Sequence, residues 1–156
     1  MEIKDKVIPD QKLAVINYKG PIADMDVLIA KLMGWVESED VETNNPPFII
    51  YYSNRFSYDP EEVVFDVGVP ISNDAEGTEL INIVDMLEHT VLSSTHYGSY
   101  ENIKDSYEKM VDYTEEKNYD IIGSPKEVLV QNRFEIDDDN DLVTEIQLPI
   151  IKMFDW

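Results

Sequence analysis

Cysteine is absent from the 156-residue sequence, which excludes disulfides, thiolate metal sites and a cysteine nucleophile. Long apolar runs are also missing, since none approaches the roughly 18 residues that a membrane-spanning helix needs. The first ten residues, MEIKDKVIPD, contain no apolar signal core. We therefore expect a cytoplasmic protein with no membrane association, and the missing cysteines are compatible with a reducing compartment.

Basic residues are scarce, because 12 Lys and Arg stand against 33 Asp and Glu, giving a formal net charge of −21. So negative a surface repels phosphate backbones, and we expect neither direct nucleic-acid binding nor contact with anionic membranes. Cationic small molecules or a basic protein partner would be attracted, although such a charge also serves solubility. Hydrophobic residues make up 43% of the chain, enough to bury the core of a single domain over 1–156.

Two halves of the sequence, about 1–73 and 76–156, resemble each other when Gly20 is placed over Gly98. At this shift the segment NRF at 54–56 falls on the identical NRF at 132–134. After one inserted residue, DVGVPI at 66–71 falls on EIQLPI at 145–150. Turn residues, aromatics and strand patterns keep one order with one gap, which indicates a tandem duplication.

Each half predicts the same β-α-β-β unit from its hydrophobic periodicity and turn residues. The fold class is therefore α+β, an antiparallel sheet with two long helices on one face and a central groove on the other. Concave seams between duplicated halves are usual ligand sites.

The predicted strands are 2–8, 12–19, 48–53, 62–71, 79–86, 90–97, 126–131 and 142–151, and the predicted helices are 21–39 and 99–118. Apolar stripes at helical spacing are assigned to the core, namely Val27, Leu28, Leu32, Trp35 and Val36 in the first helix and Ile103, Tyr107, Met110 and Val111 in the second.

Alternation along the last strands of the second half predicts which side chains face the groove. Glu127 and Glu145 alternate with Val128 and Ile146, and the apolar partners are assigned to the helix side. That places both glutamates on the groove side, where a carboxylate among aromatic rings can bind a flat cation. Further candidates for ligand contact are Tyr51, Asp66, Leu129, Gln147, His96 and Tyr18.

No metal site or cofactor is expected. The two histidines, His89 and His96, are seven residues apart on one predicted strand, so they point to opposite faces. The acidic run at 137–141 resembles a calcium loop, but Leu142 and Leu148 stand where such a loop needs Gly and Glu. We expect an acidic surface loop there.

The repeated motifs resemble those of the GyrI-like family, also called the AraC-type effector-binding domain. The residues that carry this likeness are YKGP at 18–21, HYGSY at 96–100, PKEV at 125–128 and TEIQLPI at 144–150. The resemblance covers nearly the whole chain and implies a two-repeat α+β fold that binds bulky lipophilic, often cationic, compounds in a central groove. It implies that Glu127 and Glu145 are the family's acidic residues. Two departures, Ser99 in place of Pro and Leu129 in place of Tyr, change the implied lining.

The leading hypothesis is a stand-alone binder of lipophilic, cationic small molecules, present as a monomer or weak dimer. No helix-turn-helix fits within 1–156, so we do not expect a DNA-binding regulator. A second hypothesis is a hydrolase of strained electrophilic toxins, with Glu127 as general base. A third is a protein-interaction module, such as an acidic inhibitor of a basic partner.

Overall fold

The computed structural model describes residues 1–132 and 135–153. The expected α+β class is confirmed, with antiparallel strands and two long helices. The strands are β1 Ile3–Ile8, β2 Gln11–Gly20, β3 Phe48–Tyr51, β4 Val63–Ile71, β5 Asn82–Met86, β6 His89–Tyr97, β7 Tyr119–Ile121, β8 Lys126–Gln131 and β9 Val143–Lys152, and the helices are α1 Met25–Ser38 and α2 Ile103–Glu116. The sequence match at 133–134 and the end of the second half at 154–156 lie outside the described residues.

Both helices begin and end in the same way. A single 3-10 turn precedes each one, Ile22–Asp24 before α1 and Tyr100–Asn102 before α2. The turn before α2 is capped by Ser99, whose hydroxyl accepts a hydrogen bond from the Glu101 N–H at 3.2 Å. Shortly after each helix the chain turns at a residue with positive φ, 52° at Asp40 and 60° at Asn118. Such short polar residues tolerate the left-handed conformation that stops a helix.

Strand β7 was not expected from the sequence. It follows the turn at Asn118 and pairs antiparallel with β9, with Tyr119 opposite Lys152 and Ile121 opposite Ile150. The Asn118 carbonyl accepts from the Met153 N–H at 2.9 Å, and its side-chain amide donates to the Met153 carbonyl at 3.2 Å. These bonds tie the turn after α2 to the end of the last strand.

The described chain divides into two compact units. The first combines residues 1–8 with 89–132 and 135–153, and the second spans Pro9–Glu88. These units differ from the two similar halves of the sequence, because β1 belongs to the first unit and β5 to the second. The predicted groove between the halves stays a prediction.

In the second unit the strand order is β3-β4-β2-β5, all antiparallel. Helix α1 packs on β2 and β4. Its buried residues are Leu28, Ile29, Leu32 and Val36. The expectation for Val27 is wrong, because 55% of that residue is exposed.

In the first unit the order is β1-β6-β9-β8, again antiparallel, with β7 added along β9. Helix α2 covers one face of this sheet through a core of Leu92, Ile103, Tyr107, Met110, Ile146, Leu148 and Ile150. Val111 was assigned to this core but is 39% exposed, and Ser106 and Thr114 of α2 are buried instead. Within the described ranges, neither helix is long and apolar enough to cross a membrane.

Candidate functional site

Glu127 is a carboxylic side chain buried between a sheet and a helix. It lies on β8 of the first unit and is 2% exposed. The Tyr107 hydroxyl of α2 donates a hydrogen bond to its Oε2 atom at 2.5 Å. A bond of this length lies at the short end of the range for O–H···O hydrogen bonds. Helix α2 therefore fixes the position of the Glu127 carboxyl group through this hydrogen bond.

The surroundings of this pair are apolar and aromatic. Tyr107 belongs to the core cluster of the first unit together with Ile103 and Met110 of the same helix. Tyr100 and Tyr113 pack at the edge of that cluster. A carboxyl group in such surroundings has lost most of its water, so its remaining polar contacts carry great weight.

The two glutamates do not share a face, contrary to the expectation from strand alternation. Glu127 pairs across strands with Ile146, whose side chain packs against α2. Glu145 pairs with Val128 and therefore lies on the face away from α2. The position of Glu145 follows the prediction, whereas that of Glu127 corrects it. The Tyr107 hydroxyl supplies the partner that lets a charged residue occupy the helix side.

Glu145 lies at the centre of a polar cluster on the face away from α2. Its Oε2 atom accepts from Lys6 Nζ at 2.6 Å, from Ser93 Oγ at 2.8 Å and from Gln147 Nε2 at 2.8 Å. Burial alone would raise the pKa of Glu145, but the bonds from Lys6, Gln147 and Ser93 outweigh it and hold that pKa below its ordinary value. The Glu145 charge is therefore already balanced by Lys6 within the protein. We call Lys6, Ser93, Lys126, Glu145 and Gln147 the Glu145 cluster.

Lys126 adds a second cation to this cluster. It lies directly across the strands from Gln147 and is only 7% exposed. Burial lowers the pKa of Lys126 to about 8, although nearby Glu145 acts in the opposite direction. Gln147 is 5% exposed, and no donor among the described residues contacts its Oε1 atom. The cluster thus combines costly buried polar groups with one strong ion pair.

In the second unit, Tyr18 and Tyr51 lie on the helix-facing side of the sheet. Phe65 lies between them as the cross-strand partner of both. The Tyr18 ring packs against Phe65 with centroids 5.5 Å apart, and the Tyr51 hydroxyl contacts Met25 Sδ of α1 at 3.9 Å. The guanidinium of Arg55 lies over the Tyr51 ring, 4.6 Å from its centroid. The Tyr51 ring, which was predicted to contact a ligand, therefore already carries a cation from the chain itself on one face.

Asp66 occupies the opposite face of the same sheet. Its Oδ2 atom accepts from the Tyr52 hydroxyl at 2.5 Å, and its Oδ1 atom accepts from Asn17 Nδ2 at 2.7 Å. Burial, followed by the bond to Asp66, raises the pKa of Tyr52 above its ordinary value. Tyr51, which was a candidate for ligand contact in the groove, is instead 6% exposed on the helix side, and the neighbouring Tyr52 is 50% exposed.

The remaining candidates, Leu129 and His96, lie on the helix side of the first unit. Leu129 shares the face of Glu127, two residues along β8, and is 6% exposed. His96, near the end of β6, is 7% exposed and contacts Ser106 of α2. The structure thus brings Glu127 and Leu129 to one face, and Glu145 and Gln147 to the other.

Three side chains that shape these sites were not singled out from the sequence as site residues, namely Tyr107, Lys126 and Lys6. Tyr107 was assigned to the helix core. Because the hydroxyl of a buried tyrosine needs a polar partner, its presence there could have predicted a polar side chain beneath the helix. Lys126 stands where the first half has Phe48, at the aligned shift. A lysine in place of a core aromatic was a detectable sign of an unusual buried cation.

The sequence model of the GyrI-like small molecule binding domain matches residues 1–151. A search of curated proteins gave no match.

Several solved structures share the fold at low sequence identity. The C-terminal domain of EcmrR superposes with a TM-score of 0.84 at 18% identity, covering 97% of this chain and 98% of that one. A hydrolase from Listeria innocua gives a TM-score of 0.72 at 11% identity, covering 96% and 92%. SAV2435, solved bound to tetraphenylphosphonium, gives 0.61 at 10% identity, covering 97% and 94%. At such identities the likeness concerns the fold alone.

Proposed function

Because the chain belongs to the GyrI-like small-molecule-binding domain family, we propose that it binds lipophilic cations and that Glu127 balances the ligand's charge. The observation that carries the proposal is the burial of Glu127 beneath α2, with the Tyr107 hydroxyl on its Oε2 atom. Electrostatic interactions are stronger in such a buried, apolar place than in water, so a cationic ligand brought close to Glu127 gains affinity from the carboxyl group.

The groups around Glu127 suit the apolar part of such a ligand. Tyr107 and Met110 of α2 and Leu129 of β8 are all buried beside it or in the same layer. Aromatic faces and polarisable thioethers contact cations and flat rings favourably. The net charge of −21 favours the approach of cations from a distance.

Access requires a movement of α2. Since Glu127 is 2% exposed, a ligand reaches it when the helix shifts from the sheet and Tyr107 releases the carboxyl group. The ligand then replaces the Tyr107 contacts with its own. Binding should therefore be linked to local opening of α2, and the cost of that opening lowers the observed affinity.

Glu127 is favoured over the other acidic candidates because it lies beside the apolar and aromatic core of the first unit. Glu145 is already paired with Lys6 at 2.6 Å, so a ligand cation would have to compete with an internal one. Asp66 has neutral donors, Tyr52 and Asn17, and is the alternative that the experiment must separate.

Calorimetric titration with tetraphenylphosphonium tests the proposal, because a fold relative, SAV2435, was solved with that cation. We expect saturable binding that Glu127→Gln weakens at least tenfold, roughly 1.4 kcal/mol. Glu108→Gln is the matched control, since Glu108 is exposed on α2 and its loss changes the net charge equally. Equal affinity in Glu127→Gln and wild type, or a loss confined to Asp66→Asn, would refute the role of Glu127.

A further inference from the structure

A pocket of about 530 Å³ opens on the first unit at a place that the proposed cation site does not use. Its lining includes His96 and Tyr97 of β6, Ser106 and Lys109 of α2, and Lys4 of β1. The lining also contains Glu2, whose Oε1 atom lies 4.0 Å from Lys4 Nζ, and the hydroxyl groups of Ser93, Ser94 and Thr95. The pocket is therefore lined by charged groups of both signs and by several hydroxyl groups.

His96 and Ser106 form a hydrogen-bonded pair at this pocket. His96 Nδ1 lies 2.8 Å from Ser106 Oγ, and His96 Nε2 lies 2.9 Å from the Ser99 carbonyl oxygen. A carbonyl oxygen only accepts, so Nε2 of the neutral ring must carry the proton and donate to Ser99. Nδ1 is then the bare nitrogen, and the Ser106 hydroxyl donates to it.

This is the arrangement that activates a serine nucleophile. The hydroxyl points its proton at an imidazole base, and a third group, here the Ser99 carbonyl, fixes the tautomer and orientation of the ring. His96 is 7% and Ser106 8% exposed, so the pair is shielded while both residues still line the pocket.

Lys109 completes the arrangement with a positive charge. It lies three residues after Ser106 on α2, which places both side chains on the same side of the helix. Because Lys109 lines the same pocket, its ammonium group can balance negative charge that develops on a carbonyl oxygen near Ser106.

We propose that Ser106 is a nucleophile, with His96 as its general base, and that this pocket hydrolyses small carboxylic esters. The proposed ester site and the cation site at Glu127 use different side chains, so substitutions can test each of them separately.

The reaction balances without a cofactor. Ser106 Oγ attacks the ester carbonyl carbon while its proton passes to His96 Nδ1, giving a tetrahedral oxyanion beside Lys109. Collapse of that species breaks the bond to the alcohol oxygen, which leaves with the proton from His96. Water, deprotonated by His96, then attacks the acyl-serine, and the carboxylic acid and free Ser106 are released.

The test uses the purified chain with two probes, a fluorophosphonate and p-nitrophenyl acetate. We expect one fluorophosphonate per chain, attached to Ser106 by peptide mapping, and hydrolysis of the ester above the rate without protein. Ser106→Ala should lose the label and at least about 100-fold of the hydrolysis rate. His96→Gln should slow labelling by a similar factor, and Ser106→Cys should retain acylation by the ester.

Ser38→Ala is the matched control, because Ser38 is an exposed helix serine whose hydroxyl donates to the Trp35 carbonyl. It should label as wild type does. The wild-type chain decides the matter even if a variant fails to fold. No adduct on wild type, or an adduct mapped to a residue other than Ser106, overturns the proposal.

Discussion

Glu127 and Glu145 lie on opposite faces of the same antiparallel sheet, and their charges are met in different ways. Glu127 points at α2 and accepts from the neutral Tyr107 hydroxyl, whereas Glu145 points away and is paired with Lys6. Glu127 therefore lies beside the apolar core under α2, whereas Glu145 is part of an ion pair on the other face. This difference determines what each substitution should do.

Glu145 should make stability depend on pH. Its pKa is held below the ordinary value of 4.5 in the folded chain. The folded protein thus binds that proton less tightly than the unfolded chain, so the carboxylate stabilises above about pH 4.5. That stabilisation is lost as the pH falls through the folded-state pKa.

Glu145→Gln should accordingly lower the free energy of unfolding by about 1–2 kcal/mol at pH 7. The difference from wild type should shrink below pH 4.5 in urea titrations. The exposed Glu108→Gln is the control and should show little change at either pH. A Glu145→Gln deficit that stays constant down to pH 3 would contradict the ion-pair account.

Lys126 should destabilise the folded chain at neutral pH. Its pKa is lowered from 10.5 to about 8 by burial, so holding it charged in the folded state has a cost. Lys126→Met should raise the free energy of unfolding by up to about 3 kcal/mol at pH 7. Because the folded-state amine is neutral above pH 8, the gain should shrink between pH 8 and 10.5.

Denaturant titrations at pH 7, 9 and 10.5 measure this, with Lys104→Met, an exposed helix lysine, as control. A destabilised Lys126→Met at pH 7, or a gain that grows with pH, would show that the buried amine is well compensated.

Position 68 needs a glycine because the Phe48 ring packs closely against its backbone. Phe48 is its cross-strand partner, and a Cβ at Gly68 would lie 2.4 Å from the Phe48 Cζ atom. Gly68→Ala should therefore destabilise the second unit by about 1–3 kcal/mol, since Phe48 must leave its packed position.

The matched control is Gly34→Ala in α1, where a Cβ meets nothing within 4 Å. This exchange should stabilise the chain by about 0.5–1 kcal/mol, because alanine favours a helix. Thermal unfolding of both variants gives the comparison, and equal shifts of the same sign would contradict the packing argument.

The order of elements could be predicted from the sequence, because helix and strand periods and the turn residues agree in both halves. Strand β7 could not, since three residues carry too little periodicity to be distinguished from a turn. The face of β8 also escaped prediction. Glu127 and Leu129 alternate with Val128 and Val130, so both faces of that strand carry apolar side chains.

A residue elsewhere in the chain determines which face of β8 Glu127 occupies. The Tyr107 hydroxyl gives Glu127 a partner on the helix side, and alternation along one strand contains no information about that contact. The same holds for adjacent Tyr51 and Tyr52, where Asp66 draws the second hydroxyl to the other face. Glu145, in contrast, occupies the face that alternation predicted.

Recognition of a ligand's positive charge by Glu127 can be tested with two ions of the same shape. Tetraphenylphosphonium and tetraphenylborate differ mainly in the sign of their charge. Calorimetric titration of wild type and Glu127→Gln with both ions measures the part of the binding free energy that depends on the sign of the ligand's charge. We predict that wild type prefers the cation by at least about tenfold and that Glu127→Gln loses most of this preference. A preference for the cation that is unchanged in Glu127→Gln would contradict the account.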